Sequence, residues 1–92
     1  MTTRINQSDL RAVVNRINRA TGNKLEPTRK SDTGVSWNVG TYIIDVSYGG
    51  CKLVRIENEA GGIRSITSGY IPKRELYYQM QAFLAGIEAI KS

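Results

Sequence analysis

The sequence predicts an α+β fold: a single small domain over residues 1–92, with two helices packed on a three- to four-stranded antiparallel sheet in the order α-β-β-β(-β)-α. Apolar residues recur with helical spacing near both ends of the chain. Between them, short segments alternate apolar and polar residues and are separated by glycine-containing turns. A chain of 92 residues can bury one thin core and has no room for a second domain.

The first helix is predicted over about Gln7–Thr21. Asn6 is a good N-cap, and Asp9 at the third helical position can complete a capping box. Gly22 is expected to end the helix in the left-handed conformation. The apolar stripe of this helix consists of Leu10, Val13, Val14 and Ile17.

Strands are predicted in the segments VSWNV, TYIIDVSY and CKLVRIEN, with IRSIT as a short edge strand. The glycines at 49–50 are interpreted as a two-residue hairpin turn, because a type I′ turn needs positive φ at both central positions. The segment NKLEPTRKSDTG before the strands is interpreted as a polar connection with a turn at Asp32–Gly34. Both faces of the central hairpin carry apolar residues, so one is expected to pack on the helices and the other to be open to a partner. The first face holds Tyr42, Ile44, Val46 and Leu53, and the second holds Ile43, Val54 and Ile56.

The last helix is predicted from about Pro72 to Ile90, since proline suits the first helical position. Its core stripe is Leu76, Met80, Phe83, Ile87 and Ile90, with Leu84 beside it. A second face is rich in small residues, which indicates either ordinary use of alanine for helix propensity or a second packing surface. We expect this surface to form the interface of a homo-oligomer, most simply a two-fold dimer. This small-residue face consists of Tyr78, Ala82, Ala85, Gly86 and Ala89.

The net charge of +5 is concentrated in the first third of the chain. Residues 1–30 contain seven basic and two acidic residues, whereas the other 62 residues contain six of each sign. Such an asymmetric basic balance attracts polyanions without specifying one. Arg11, Arg16 and Arg19 form a basic face on the first helix, which is either a polyanion-binding surface or a solvated exterior.

The residue types argue for binding rather than catalysis. Histidine, the commonest general base and metal ligand, is absent from the chain, and Cys51 is its single cysteine. We therefore expect no catalytic residues, no metal site and no cofactor, and an enzyme is the last of the functional alternatives. The lone cysteine also favours a reducing compartment. The N-terminal segment lacks a signal peptide and no apolar run approaches a membrane span, so we expect a cytoplasmic protein without a membrane partner.

The stretch SGYIPKREL predicts a ligand-binding site, because two cations begin a helix whose N-terminus is already its positive pole. A bound anion would turn that unfavourable placement into a favourable one, although both side chains could instead be solvated. A phosphate would suit Lys73, Arg74 and the first free amides of the helix. The remaining predicted ligand-binding residues are Ser68 and Gly69, which lead into the site, and Tyr70, Trp37 and Tyr48, which could cover a base.

The α-β-β-β-α order with a basic start to the second helix is similar to the double-stranded-RNA-binding domain. The last helix of that family opens with a Lys-Lys-x-Ala-Lys pattern that grips phosphates across a major groove. Lys73 and Arg74 match the first two positions, whereas Leu76 and Tyr77 occupy the small and the third basic positions. The resemblance implies binding of duplex RNA through the start of this helix.

A broader resemblance covers about residues 10–88. The segments VNRINRATGNKLEP, NVGTYIIDVSYGGCKLVRIENEAGG and IPKRELYYQMQAFLAGIE look like a set of small proteins encoded by tailed bacteriophages and prophages. This resemblance implies a phage accessory protein, made inside a bacterium, that disables a host factor or a defence system.

We therefore expect a phage anti-defence protein, in the cytoplasm of the infected bacterial host, that captures an anionic small molecule without catalysis. A nucleotide-type immune signal is the most concrete ligand. The alternatives are a protein that binds double-stranded RNA or DNA, and an inhibitor that binds a host protein through the exposed sheet face.

Overall fold

The computed structural model describes residues 4–67 and 69–91 and contains two helices and five strands. In chain order these are α1 (Gln7–Thr21), β1 (Thr28–Ser31), β2 (Gly34–Trp37), β3 (Tyr42–Ser47), β4 (Gly50–Ile56), β5 (Ile63–Ser65) and α2 (Lys73–Lys91). The predicted α+β class is confirmed. The strands form two antiparallel sheets, one of order β1-β2 and one of order β3-β4-β5.

Helix α1 has the predicted bounds because its caps are local. The Asn6 side chain accepts from the backbone N–H of Asp9, and the Asp9 carboxylate accepts from the N–H of Asn6, which completes the capping box. Gly22 takes the left-handed conformation, with φ of 75°. Helix α2 begins at Lys73, directly after Pro72.

The turn of the central hairpin lies one residue earlier than predicted. Ser47 pairs with Gly50, so the two turn residues are Tyr48 and Gly49 rather than the two glycines. Both have positive φ, 53° for Tyr48 and 74° for Gly49, as a type I′ turn requires. A tyrosine therefore occupies a position that normally goes to glycine, asparagine or aspartate.

The segment predicted as a polar connection contains strand β1, which pairs with β2 from Thr28↔Trp37 to Ser31↔Gly34. Most residues of this second sheet are exposed, so no apolar alternation marked β1 in the sequence. Backbone hydrogen bonds from Trp37 N–H to the Glu59 carbonyl and from Gly40 N–H to the Ile56 carbonyl attach this hairpin to the central sheet.

Both helices pack on one face of the central sheet, α1 against β3 and α2 against β4. They run in the same direction, because Arg16 of α1 pairs with Glu88 and the Ala20 carbonyl accepts from Lys91. Ile90, predicted in the core stripe, is exposed. The buried core between helices and sheet consists of Leu10, Val13, Val14, Ile17, Cys51, Leu53, Leu76, Met80 and Leu84.

The register places the apolar side chains of the hairpin on the two faces predicted. Ile44 and its partner Leu53 face the helices, and Ile43 and its partner Val54 lie on the other face. On that second face Val54 and Ile56 are fully buried (0 % exposed), so these two offer no surface to a partner.

Candidate functional site

The Tyr48–Gly49 turn presents an aromatic pair to solvent. Tyr48 is 91 % exposed, and its ring lies edge-on to the ring of Tyr70, with 5.5 Å between centroids and 66° between planes. The two tyrosines are brought together because Ile71 forms an isolated antiparallel bridge with Cys51, on the side of β4 that also pairs with β5. The chain just before α2 is thereby aligned with the turn of the hairpin.

Tyr70 is held by contacts to its hydroxyl and to the face of its ring. Its hydroxyl donates a 2.6 Å hydrogen bond to the Asp45 carboxylate, and the Lys52 ammonium lies 4.6 Å from the centre of its ring. Asp45 and Lys52 are cross-strand partners in β3 and β4. The hydrogen bond to Asp45, with a smaller effect of burial, raises the pKa of Tyr70 above its ordinary value. Tyr70 is therefore a fixed, neutral ring at neutral pH, with a cation on its face.

The starts of both helices lie at this same end of the sheet. Gln7, the first residue of α1, and Lys73, the first of α2, line a cleft of about 410 Å³. Val46, Gly49, Gly50, Cys51 and Pro72 complete its lining. Free amides and the positive pole of each helix lie at its N-terminus. We call this region, with the aromatic pair, the turn end of the molecule.

Cys51 is a buried residue in the lining of that cleft, and its thiol donates to the Ile71 carbonyl. Burial raises the pKa of the Cys51 thiol, and the nearby positive charge of Lys73 offsets part of the effect. A buried, protonated thiol is a packing group rather than a nucleophile.

The predicted ligand-binding residues are only partly brought together. Lys73 and Arg74 are exposed, as is Gly69, and they lie at the same end of the sheet as Tyr48 and Tyr70. The turn separates them, because Tyr70 contacts Asp45 and Lys52 on the face away from the helices, whereas Lys73 lines the helix-side cleft. Ser68 lies outside the described residues.

Trp37 lies elsewhere. Its ring is against Gly61, and its backbone N–H donates to the Glu59 carbonyl, near the turn that joins β4 to β5. That is the opposite end of the central sheet, because β4 runs from the Tyr48–Gly49 turn to this one over seven residues, about 20 Å at a rise of ~3.4 Å per residue. Trp37 therefore does not share a pocket with Tyr48 and Tyr70.

Lys52 is the residue at this site that the sequence reasoning missed. The pairing of Asp45 with Lys52 follows from the hairpin register, so correct placement of the turn could have found it. The approach of Tyr70 depends on the Cys51–Ile71 bridge between segments distant in sequence, which no local pattern indicates.

The three arginines of the basic face are all exposed but point in different directions. Arg16 pairs with Glu88 of α2 at 3.7 Å, whereas Arg11 borders a groove between α1 and β3. Five residues of α-helix turn the side chain by about 140°, which explains the divergence. Arg19 lies between them on the wheel and, in residues 4–67 and 69–91, has no ion-pair partner.

The small-residue face of α2 lies on the outside of the molecule. Its members Tyr78, Ala82, Ala85, Gly86 and Ala89 are all exposed, and Tyr78 stacks edge-on with Tyr77. This placement is compatible with the predicted oligomer interface, and the oligomeric state stays a prediction.

The site offers cations, helix amides and aromatic rings, which suit an anion that carries a planar group. Within residues 4–67 and 69–91, no group of three or more His, Cys, Asp or Glu side chains is placed to hold a metal ion. In that same part of the chain, neither helix is long and apolar enough to cross a membrane.

Comparison of the chain with protein-family models, with curated proteins and with solved structures found no match. The similarities to phage proteins and to the double-stranded-RNA-binding domain therefore stay predictions.

Proposed function

We propose that this protein binds an anionic, nucleotide-like ligand at its turn end and does so without catalysis. The observation that carries the proposal is the conformation of Tyr48. A bulky residue in the left-handed region costs on the order of 1–3 kcal/mol, and such strain is concentrated at ligand sites. Here the strained residue holds an exposed ring beside a second ring that Asp45 and Lys52 keep in place.

The charges around the turn end support a phosphate-bearing ligand. Lys73 and Arg74 are exposed at the start of α2, and in residues 4–67 and 69–91 neither forms an ion pair. Lys52 adds a third cation on the other side of the turn. Asp45, the cross-strand partner of Lys52, accepts a hydrogen bond from the Tyr70 hydroxyl. A ligand whose phosphate lies at the helix start and whose base lies on Tyr48 would span the turn.

The biological context of the proposal comes from the resemblance to phage proteins. A small binding protein made in an infected bacterium would act by sequestration, and a nucleotide-type immune signal fits the site chemistry. A homo-oligomer that pairs the small-residue faces would give each assembly more than one such site.

Isothermal titration calorimetry tests the proposal directly. The panel consists of inorganic phosphate, a nucleoside monophosphate, a triphosphate, a cyclic mononucleotide and a cyclic dinucleotide, at low ionic strength. At least one nucleotide is expected to bind more tightly than phosphate, because stacking of a base on a tyrosine contributes about 1–3 kcal/mol. Tyr48→Asn keeps the turn conformation and removes the ring, so it should weaken binding by that amount.

The double variant Lys73→Ala, Arg74→Ala should weaken binding of the same nucleotide by about 1.5–3 kcal/mol per charge-assisted hydrogen bond lost. Tyr78→Asn is the matched control, since Tyr78 is also an exposed tyrosine (58 %) but lies on the outer face of α2. If no nucleotide in the panel binds, or if Tyr48→Asn binds as tightly as the parent, the proposal is rejected.

A second candidate, binding of duplex RNA or DNA, is favoured by the charge distribution. Arg11 and Arg19 are exposed on α1, and in residues 4–67 and 69–91 neither forms an ion pair. Gel-shift affinity should fall with salt by a log–log slope of about −0.9 per phosphate neutralised. Arg11→Glu with Arg19→Glu should abolish the shift, while Arg16 is left in place because it pairs with Glu88. Absence of any shift at low salt would exclude this candidate.

A further inference from the structure

Strand β3 is an edge strand with free backbone groups. It pairs with β4 on one side and with no strand on the other. The register closes at Ser47↔Gly50 across the two-residue turn, so the N–H and C=O groups of alternate residues point away from β4. Those residues are Tyr42, Ile44 and Val46. In residues 4–67 and 69–91, the outward backbone groups of Ile44 and Val46 make no hydrogen bond.

At Tyr42 the position of a neighbouring strand is already filled. The Asn18 side chain, buried in α1, accepts from Tyr42 N–H at 2.7 Å and donates to the Tyr42 carbonyl at 3.0 Å. These are the two bonds that a paired strand would make. Ile44 and Val46 have no such side-chain partner for their outward N–H and C=O groups, so the free edge consists of these two residues.

A groove of about 510 Å³ runs beside this edge, between α1 and β3. Its apolar lining comes from both walls and from the connection after α1: Val14, Leu25, Pro27, Tyr42, Ile43 and Ile44. Polar side chains of Gln7, Arg11, Asn15 and Glu26 form the rest. A side chain that descends from a strand paired with Ile44 would enter this groove.

We propose that the edge of β3 is a docking site for an extended peptide segment of another protein, which adds a strand to the central sheet. The backbone of the peptide would exchange four hydrogen bonds with Ile44 and Val46, two for each outward-facing residue. An apolar side chain of the peptide would fill the groove. This edge adjoins the proposed nucleotide site, because Val46 and Gln7 also line the turn-end cleft, but it does not include the Tyr48–Tyr70 aromatic pair.

A second copy of the chain fits this edge less well. An antiparallel two-fold pair that uses both free residues matches Ile44 with Val46 of the copy, and it places Asp45 directly opposite its own copy. Like charges directly opposite destabilise a strand pair. The register centred on Ile44 instead requires Tyr42, whose backbone groups Asn18 already occupies. The edge therefore favours a peptide of different sequence.

Charge defines the peptide further. The Arg11 side chain lies on the groove wall, and in residues 4–67 and 69–91 it makes neither an ion pair nor a hydrogen bond. Glu26 lines the same groove, so a carboxylate of the peptide is expected beside Arg11 and away from Glu26. The chain carries a net charge of +5, which attracts acidic partners over distance. The expected peptide alternates apolar and polar residues and carries a carboxylate that reaches Arg11.

Peptides that bind the immobilised full chain are selected from a random dodecapeptide display library, and the selected sequences are synthesised and titrated by calorimetry. The selected peptides are expected to be acidic and to alternate apolar and polar residues. Amide hydrogen exchange of the parent protein should slow at Ile44 and Val46 when peptide binds. Failure to select any peptide, or protection elsewhere without these two amides, would overturn the proposal.

A proline variant tests the edge more sharply. The Val46 N–H points away from β4, so Val46→Pro removes an outward donor without removing a bond within the sheet. Val46→Pro should weaken peptide binding at least about tenfold. Val46→Thr keeps the N–H donor and should change the peptide affinity by less than about threefold. Arg11→Gln should weaken acidic peptides about threefold or more.

Two further measurements distinguish loss of the docking edge from loss of the fold and from binding at the nucleotide site. The exchange experiment uses the parent chain, so it decides the matter even if Val46→Pro fails to fold. Tyr48→Asn should leave peptide affinity unchanged, which separates this site from the nucleotide site. If the parent sediments as a dimer that Val46→Pro dissociates, a second copy occupies the edge and the peptide proposal is wrong.

Discussion

Asn18 is paired with Tyr42 across 24 positions of sequence, through one hydrogen bond to the Tyr42 carbonyl and one from its N–H. The side chain of a helix residue thereby takes the place of a neighbouring strand at the first residue of β3. The pair ties α1 to the edge of the central sheet, and Asn18 is only 1 % exposed.

Asn18→Ala should destabilise the protein by about 1–3 kcal/mol, because it leaves two partly buried backbone groups of Tyr42 without their side-chain partner. Urea denaturation followed by circular dichroism measures the change. Asn15→Ala is the matched control, since Asn15 lies on the same helix and its side chain makes no hydrogen bond in the described part of the chain. Equal effects of the two substitutions would mean that the Asn18 pair contributes nothing specific.

Tyr48→Asn should raise the free energy of unfolding by about 1 kcal/mol, because asparagine accepts the left-handed conformation at lower cost. The same denaturation experiment detects the gain. Gly49→Ala is the opposite control: a methyl group there meets no atom within 4 Å, yet φ of 74° strains any side chain. It should destabilise by about 1–2 kcal/mol. A loss of stability in Tyr48→Asn would show that the ring contact with Tyr70 outweighs the strain.

The hydrogen bond between Tyr70 and Asp45 predicts a pH dependence in the alkaline range. The pKa of Tyr70 is raised in the folded protein, so the stability due to this bond is fully present below the unfolded value of about 10. It is lost as the pH rises through the higher folded value. Spectrophotometric titration should show a tyrosine ionisation above the ordinary value, and Tyr70→Phe should remove it.

The stability difference between the parent and Tyr70→Phe should accordingly shrink at strongly alkaline pH. Tyr78→Phe serves as the control, because no hydrogen bond to its hydroxyl is present in the described part of the chain. A high-pH ionisation that survives in Tyr70→Phe would contradict the assignment.

Cys51 should react slowly with a disulfide reagent in the native protein. Its thiol is buried and its pKa is raised, so little thiolate is present at neutral pH. The rate should be at least about tenfold below that of free cysteine and should become normal in denaturant. Lys73→Ala should slow the reaction further, since it removes the charge that lowers this pKa. Rapid native labelling would show that the thiol is accessible.

Sedimentation velocity at micromolar concentration tests the predicted homo-oligomer. We expect a dimer that forms through the small-residue face, and Ala85→Arg should dissociate it because a large charged side chain prevents close approach of two helices. Thr33→Arg, an exposed substitution in the β1–β2 turn, is the control. A clean species of 10.2 kDa in the parent would rule out this interface.

Part of the candidate site could be predicted. The sequence places Lys73 and Arg74 at the start of the last helix, because Pro72 and the apolar stripe define that start locally. The sequence predicts Tyr48 and Tyr70 as rings that could cover a base, and the two rings do meet. Trp37 was grouped with them by residue type alone, and the sheet places it at the opposite end.

The sequence by itself determined the features that rest on local physics. The bounds of α1 follow from the Asn6 capping box and from Gly22, and the two faces of the central hairpin follow from side-chain alternation. Only the tertiary structure decided which residues form the hairpin turn and that β1 exists. It also decided that Asn18 hydrogen-bonds to Tyr42, and that Asp45 and Lys52 contact Tyr70. Those outcomes depend on pairings between segments far apart in the chain, whose register is set by the packing of the whole core rather than by any short stretch of residues.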